Sequence, residues 1–322
     1  MVVFIHAGEN DAVETYIKVI CTSAVPFFFL VSGYYLSLNA VNGKTEYPSR
    51  QLRKIGELFI ISNVLYAISS SILLLIFHDD LVGFWKTCLT CESILNFLVL
   101  NDSPFGYHLW YIGAVLYVLL ILNILITKNK INHVVAYMPL LLILAVILGA
   151  YSRLFFKNSF PISISRNFIT VGLPSMATGY MLKKVLDEKH PCCKYAFKSI
   201  IVCSMAIIME RFILHRLDIL SKGSIFIMTV PLAVSIFLFA ATDKCVHSSP
   251  MMKMLADIGR YDSACIYICH MVFIIVLEHL PTSGNMVYIH GRPLLVFVLS
   301  LLLSRGLQFA SRCLLKCRRP KM

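Results

Sequence analysis

LWYIGAVLYVLLILNILIT, residues 109–127, runs for 19 positions without a charge. Hydrocarbon offers no hydrogen-bond partner to a backbone N–H or C=O, whereas an α-helix pairs those groups internally. An apolar run of roughly 18 or more residues therefore reads as a membrane-spanning helix. Comparable runs recur from end to end. The spans predicted are a short one at 1–7, then 17–38, 55–77, 109–127, 134–151, 168–182, 197–215, 225–242, 264–280 and 294–315. Together they predict an all-α, polytopic integral membrane bundle of about ten transmembrane helices, forming one membrane-embedded domain over residues 1–322.

Composition agrees with this reading. Of 322 residues, 58% are hydrophobic and 14% charged, with a mean hydropathy of +0.77. A soluble domain carries roughly 25% charged residues, so these charges are too few to wet a globular surface. The formal charge of +12 does not indicate nucleic acid, which would require a basic face or basic residues interleaved with aromatics. The cations sit instead in short loops between apolar runs, where they report topology. Segments 40–54, 128–133, 183–198, 243–262 and 312–322 hold about 19 Lys and Arg, and the remaining loops about 8. That excess predicts a cytoplasmic location for the richer set and for the C-terminus. The acidic loop 79–108 is then outside. Arg153, Lys157 and Arg166 break the alternation, so either the map fails there or these cations have another task.

No cleavable signal peptide is expected, since Met1 to Ala7 lack a basic start and a small-residue cleavage site. The eleven cysteines suggest no disulfide framework. Cys88 and Cys91 form an isolated C-x-x-C, and Cys192–Cys193 follow His190 without a second ligand pair. No metal site and no resident cofactor are predicted from them.

Ionisable groups inside spans are costly and are functional candidates by default. His6 ends the run Val2-Val3-Phe4-Ile5 and precedes Glu9 and Asp11. It reads either as an interfacial residue or as a general base, with the nearby carboxylates orienting its imidazole. The segment from Pro26 to Tyr34 places a proline in a span beside Ser32-Gly33. This is either an ordinary kinked, tightly packed helix or a place where a ligand approaches the backbone. Arg50, Arg53 and Lys54 begin the third span, as headgroup anchors or as phosphate ligands. Arg166 precedes Asn167-Phe168, and His270 lies mid-span, where a structural role competes with a catalytic one. Glu210 and Arg211, also within a span, are expected to neutralise other groups in the bundle.

In order along the chain, these residues resemble the membrane acyltransferase-3 family. The resemblance covers nearly the whole chain. It rests on Val2-Val3-Phe4-Ile5-His6-Ala7 and on the segment from Val25 to Leu36. It continues through His108-Leu109-Trp110-Tyr111, Arg166-Asn167-Phe168 with Gly172-Leu173-Pro174, and Ile258-Gly259-Arg260-Tyr261 leading to His270. What it implies is a ten-helix bundle that moves an acyl group, usually acetyl, from cytoplasmic acyl-CoA to an extracytoplasmic hydroxyl. The acceptor would be a polysaccharide, a lipid-linked glycan or another envelope glycan. Acetyl-CoA is the expected donor substrate, and the expected location is the bacterial cytoplasmic membrane, multi-pass among its lipids. By carry-over His6 would be the general base or a transient acyl carrier, with Glu9 beside it. Arg50 and Arg53 would meet the CoA phosphates. Ser32, Gly33, Trp110, Arg166 and His270 would support the substrate or the structure.

One departure stands out. The family places an arginine about three helical turns before its histidine, and five residues precede His6 here. The expectation is a first helix truncated at its N-terminus, through a start site placed too late or in an inactive copy. A carrier or flippase for lipid-linked glycans is the competing class of function.

Overall fold

Leu, Ile, Val and Phe around a full helix circumference suit a helix facing lipid, and the long runs here fold that way. The computed structural model describes residues 1–7, 12–42, 46–188, 191–221, 225–242, 249–279 and 286–317, and these contain helices and turns but no strand. The helices are α1 (Val2–Ala7), α2 (Ala12–Cys21), α3 (Ala24–Val41), α4 (Tyr47–Ile76), α5 (Leu81–Cys88), α6 (Cys91–Leu100), α7 (Trp110–Thr127) and α8 (Ile131–Leu148). There follow α9 (Ser152–Phe156), α10 (Ile162–Ser165), α11 (Leu173–Asp187), α12 (Ala196–Arg216), α13 (Thr229–Thr242), α14 (Pro250–Tyr261), α15 (Ser263–Glu278) and α16 (Met286–Cys317).

Among the described residues five helical stretches are long and apolar enough to cross a membrane: Glu14–Val41, Tyr47–Ile76, Tyr107–Thr127, Ile131–Leu148 and His290–Cys313. A sixth results if α14 and α15, bent by 76°, count as one span. Helices also stand at the other expected positions. However, α11 and α13 have 15 and 14 residues, and α12 carries Lys198, Glu210 and Arg211. The run 17–38 is divided, since α2 ends at Cys21 and α3 begins at Ala24. Pro26 therefore lies in the first turn of α3, where its missing N–H leaves no helical bond unmade and no kink is needed. Loop 79–108 is not irregular throughout but holds α5 and α6. Asp80 caps the first by accepting from Gly83 N at 2.8 Å, and Thr90 caps the second by accepting from Ser93 N at 3.2 Å.

The chain groups into two compact units, Thr22–Thr242 and Met1–Cys21 with Asp243–Met322. The larger unit is built on the crossing of α3 and α11. A Cβ on Gly33 would come within 1.9 Å of the Met176 carbonyl oxygen, and one on Gly179 within 2.0 Å of the Leu30 carbonyl oxygen. Two backbones this close need glycine on both sides, the small-residue packing that holds helices together where lipid supplies no hydrophobic drive. Around the crossing, Phe29, Leu36, Trp110, Val118 and Met176 form a buried core. By contrast α4 packs on α7 and exposes Ile60, Ile61, Val64, Ile68, Ile72 and Leu75, a surface suited to acyl chains.

In the smaller unit α15 packs on α16, and α1 contacts both. The α14–α15 corner is pinned by Asp262, which is fully buried. Its Oδ1 accepts from Ser304 Oγ and Gln308 Nε2, each at 2.7 Å, and its Oδ2 pairs with Arg305 at 2.7 Å.

The close crossing is testable by thermal unfolding in detergent. Gly33→Ala and Gly179→Ala are each expected to cost roughly 1–3 kcal/mol through overpacking. Gly306→Ala, whose Cβ would meet nothing within 4 Å, should leave the melting temperature unchanged or slightly raised. Equal melting of all three variants would show that α3 and α11 do not depend on this approach.

Candidate functional site

The smaller unit brings together two histidines from opposite ends of the sequence. The rings of His6, on α1, and His270, on α15, lie 5.4 Å apart between centroids and are tilted by 38°. His270 is fully buried, and its Nδ1 lies 2.6 Å from the Tyr267 carbonyl and 3.2 Å from that of Ile266. A carbonyl accepts only, so the neutral ring carries its proton on Nδ1, and Nε2 is the acceptor nitrogen. The imidazole of His270 is thus held in one tautomer by its own helix, against the half-buried ring of His6.

A third side chain fixes the helix that bears His6. The last carbonyls of any helix lack a partner within it. Here Arg292 on α16 donates through Nε to the Ala7 carbonyl at 2.9 Å, and through Nη1 to Glu278 at the end of α15 at 3.2 Å. One guanidinium thereby ties α1, α15 and α16 at a single point, which suits its planar array of donors. Glu14 on α2 pairs with His290 on α16 at 2.9 Å. Glu9 and Asp11, expected beside His6, lie outside the described residues.

The larger unit gathers a second group. The guanidinium of Arg166 stands 5.0 Å from the ring centre of Trp110, which is buried. A cation over an indole face is favourable, the more so once desolvated. Asp102, in the loop after α6, faces the same cation and is hydrogen-bonded to Ser163. Burial raises its carboxyl pKa above the ordinary range, while the Arg166 charge and the Ser163 bond oppose that rise. Neighbouring asparagines hold the frame. Asn101, in the left-handed region at φ 56°, donates to the Trp110 carbonyl at 2.7 Å and accepts from Phe168 N at 3.1 Å. Asn167 accepts from Ile169 N and Thr170 N at 2.9 and 3.1 Å, capping the wide π-type turn Phe168–Gly172. Such turns are frequent at functional sites. Arg166, which broke the loop-charge alternation, thus has a local task, as does Arg153, which donates to Ser159 at 3.0 Å.

The remaining candidates are more dispersed. Ser32 donates to the Phe28 carbonyl at 3.0 Å and is hydrogen-bonded to Tyr111, next to Trp110. Gly33 meets the backbone of α11. Arg50 is ion-paired with Glu46, and Arg53 with Glu57 at 2.9 Å, all exposed on the first turns of α4. Arg50 holds the Glu46 carboxyl pKa below its ordinary value by hydrogen bond and by charge. These arginines face outward on α4, apart from the Arg166–Trp110 group. Glu210 and Arg211 were expected to neutralise other groups in the bundle. Both oxygens of Glu210 accept from Ile227 N, at 2.9 and 3.1 Å, and it is also bonded to Met228 N and Tyr151. It satisfies the backbone just before α13, a need invisible in the sequence. Among the described residues no group of three or more His, Cys, Asp or Glu is placed to hold a metal. Cys88 is buried and donates to the Pro104 carbonyl, whereas Cys91 is exposed.

Sequence reading missed Arg292. Its signal was available, as an arginine immediately before Pro293 in an otherwise apolar run is an ionisable group at membrane depth.

Comparison with known proteins adds the family. A family model described as Acyltransferase domain matches residues 1–305. A protein of Enterococcus faecalis named Amino-acid racemase is 23% identical over 299 residues, which cover 86% of this chain. The chain spans 40% of that relative's length. No solved structure matches the chain. A match over nearly the whole length, on a chain with several helices fit to cross a membrane, assigns it to the acyltransferase-3 family of membrane acyltransferases.

Proposed function

We propose that the protein is an O-acyltransferase carrying acetyl from cytoplasmic acetyl-CoA to a hydroxyl of an extracytoplasmic polysaccharide or lipid-linked glycan. The observation that carries the reading is the meeting of His6 and His270. His6 takes the proton of the acceptor hydroxyl, and the freed oxygen attacks the thioester carbonyl. The C–S bond then breaks, an ester forms, and the CoA thiolate leaves and takes a proton. His270, locked in one tautomer, orients or relays through the ring of His6. Arg292 holds the α1 terminus so that His6 keeps its place, and with Glu278 it supplies a fixed cation beside the histidine helix.

Arg50 and Arg53 meet the CoA phosphates at the cytoplasmic start of α4, their exposed ion pairs being weak enough to exchange for phosphate. The Arg166–Trp110–Asp102 group supports the acceptor side. In this reading the chain is a single ten-span bundle in a bacterial cytoplasmic membrane, with its C-terminus inside. The loop-charge pattern and the helices at each expected position support that reading. The racemase name belongs to a much longer protein, and nothing in the described geometry calls for that reaction here.

Transfer of labelled acetyl from acetyl-CoA to envelope glycans, in membranes carrying the chain, tests the reading. His6→Ala should lower it by about 10²–10⁴-fold with protein level unchanged. Equal transfer by His6→Ala removes the base mechanism, and absence of transfer by the parent turns attention to the carrier reading. Arg292→Ala should lower kcat with little change in KM, and Arg292→Lys should recover part of it. An effect confined to protein level would make Arg292 purely structural. Replacing both Arg50 and Arg53 by Gln should raise KM for acetyl-CoA several-fold at constant kcat. An unchanged KM would leave them as headgroup anchors.

A further inference from the structure

Away from the histidine pair, α14 and α16 enclose a cleft of about 580 Å³. Its walls carry Lys253, Arg305 and Arg312, one acid, Asp257, and the apolar side chains of Met254 and Tyr261. We propose that this cleft binds the phosphate of an anionic phospholipid. The proposal is independent of the acyl-transfer reading.

Three observations carry it. First, the charges fit one phosphodiester. Asp262 pairs with Arg305, so three cations stand against Asp257 and Asp262 and leave one positive charge. Among the described residues neither Lys253 nor Arg312 is in an ion pair, whereas Arg305 is pre-oriented. The carboxylate beneath it is itself held by Ser304 and Gln308. A guanidinium paired through one Nη keeps further donors for a second acceptor.

Second, α14 has the make-up of a helix lying in the membrane interface. Lys253, Asp257 and Arg260 fall at spacings of four and three on one face, with Met251, Met254, Leu255 and Ile258 on the other. Met251, Met254 and Leu255 are exposed. Third, the 76° bend at Asp262 turns α14 away from the axis of α15, so it does not continue that span. A soluble phosphate has no use for this apolar flank, whereas a phospholipid has a glycerol and acyl chains to set against Met254 and Tyr261. Of the possible phosphate sources, the lipid fits both halves of the cleft.

Native mass spectrometry of the purified full chain, titrated with phosphatidylglycerol or phosphatidylcholine, tests this. The parent should retain phosphatidylglycerol in preference to phosphatidylcholine. Replacing Lys253 and Arg312 together by Gln should weaken retention by about tenfold or more. Replacing Lys128 and Lys130 together by Gln, which removes the same charge elsewhere, should not. Undiminished phosphatidylglycerol binding by the Lys253/Arg312 variant overturns the proposal, as does equal retention of phosphatidylcholine. Inorganic phosphate or CoA displacing the lipid at millimolar concentration would also overturn it, making this a soluble-phosphate site.

Discussion

A backbone amide in hydrocarbon has no water to fall back on, and each one left unpaired costs several kcal/mol. The long helices here meet that constraint by themselves. Wherever a helix stops short or turns within the apolar region, a side chain has to finish the pairing. Glu210 takes the amides just before α13, Asn101 and Asn167 close the turn before α11, and Arg292 takes the last carbonyl of α1. Asp262 pins the corner of α14 and α15. These five polar side chains therefore answer to the ends and corners of helices.

The same constraint shapes the candidate site. His6 lies on the last turn of α1, whose final carbonyls have no partner within the helix, so its place depends on what grips that end. Arg292 supplies that grip while remaining paired with Glu278, which lowers the cost of holding a guanidinium away from water. On α15, His270 spends one nitrogen on its own helix and so has a defined acceptor nitrogen, the state a relay or an orienting group requires. Charges that elsewhere would set topology are partly diverted here, as Arg166 lies over Trp110 beside Asp102.

The glycines show a different kind of economy. Lipid competes with side chains for apolar contact, so helices associate through close approach rather than through the hydrophobic effect. Gly33 and Gly179 sit at reciprocal positions of one crossing, each against the other helix's carbonyl. A functional reading of Ser32-Gly33 therefore competes with this packing role, and Ser32 retains its contact to Tyr111 as the part closer to the Trp110 group.

The all-helical membrane class was legible in the sequence, because uncharged runs such as 109–127 and the scarcity of charge admit few other states. The positions of most helices followed from the same runs, and His6 and His270 stood out as ionisable groups in apolar surroundings. Other features depend on which chain segments meet. Hydropathy says that a helix is apolar but not which neighbour it faces, so the glycine crossing and the 5.4 Å approach of His6 to His270 were decided by tertiary packing. The same holds for Arg292, Glu210 and Asp262. Each partner is an unpaired backbone group or a side chain brought close by folding, and a linear pattern of residue types does not encode that proximity.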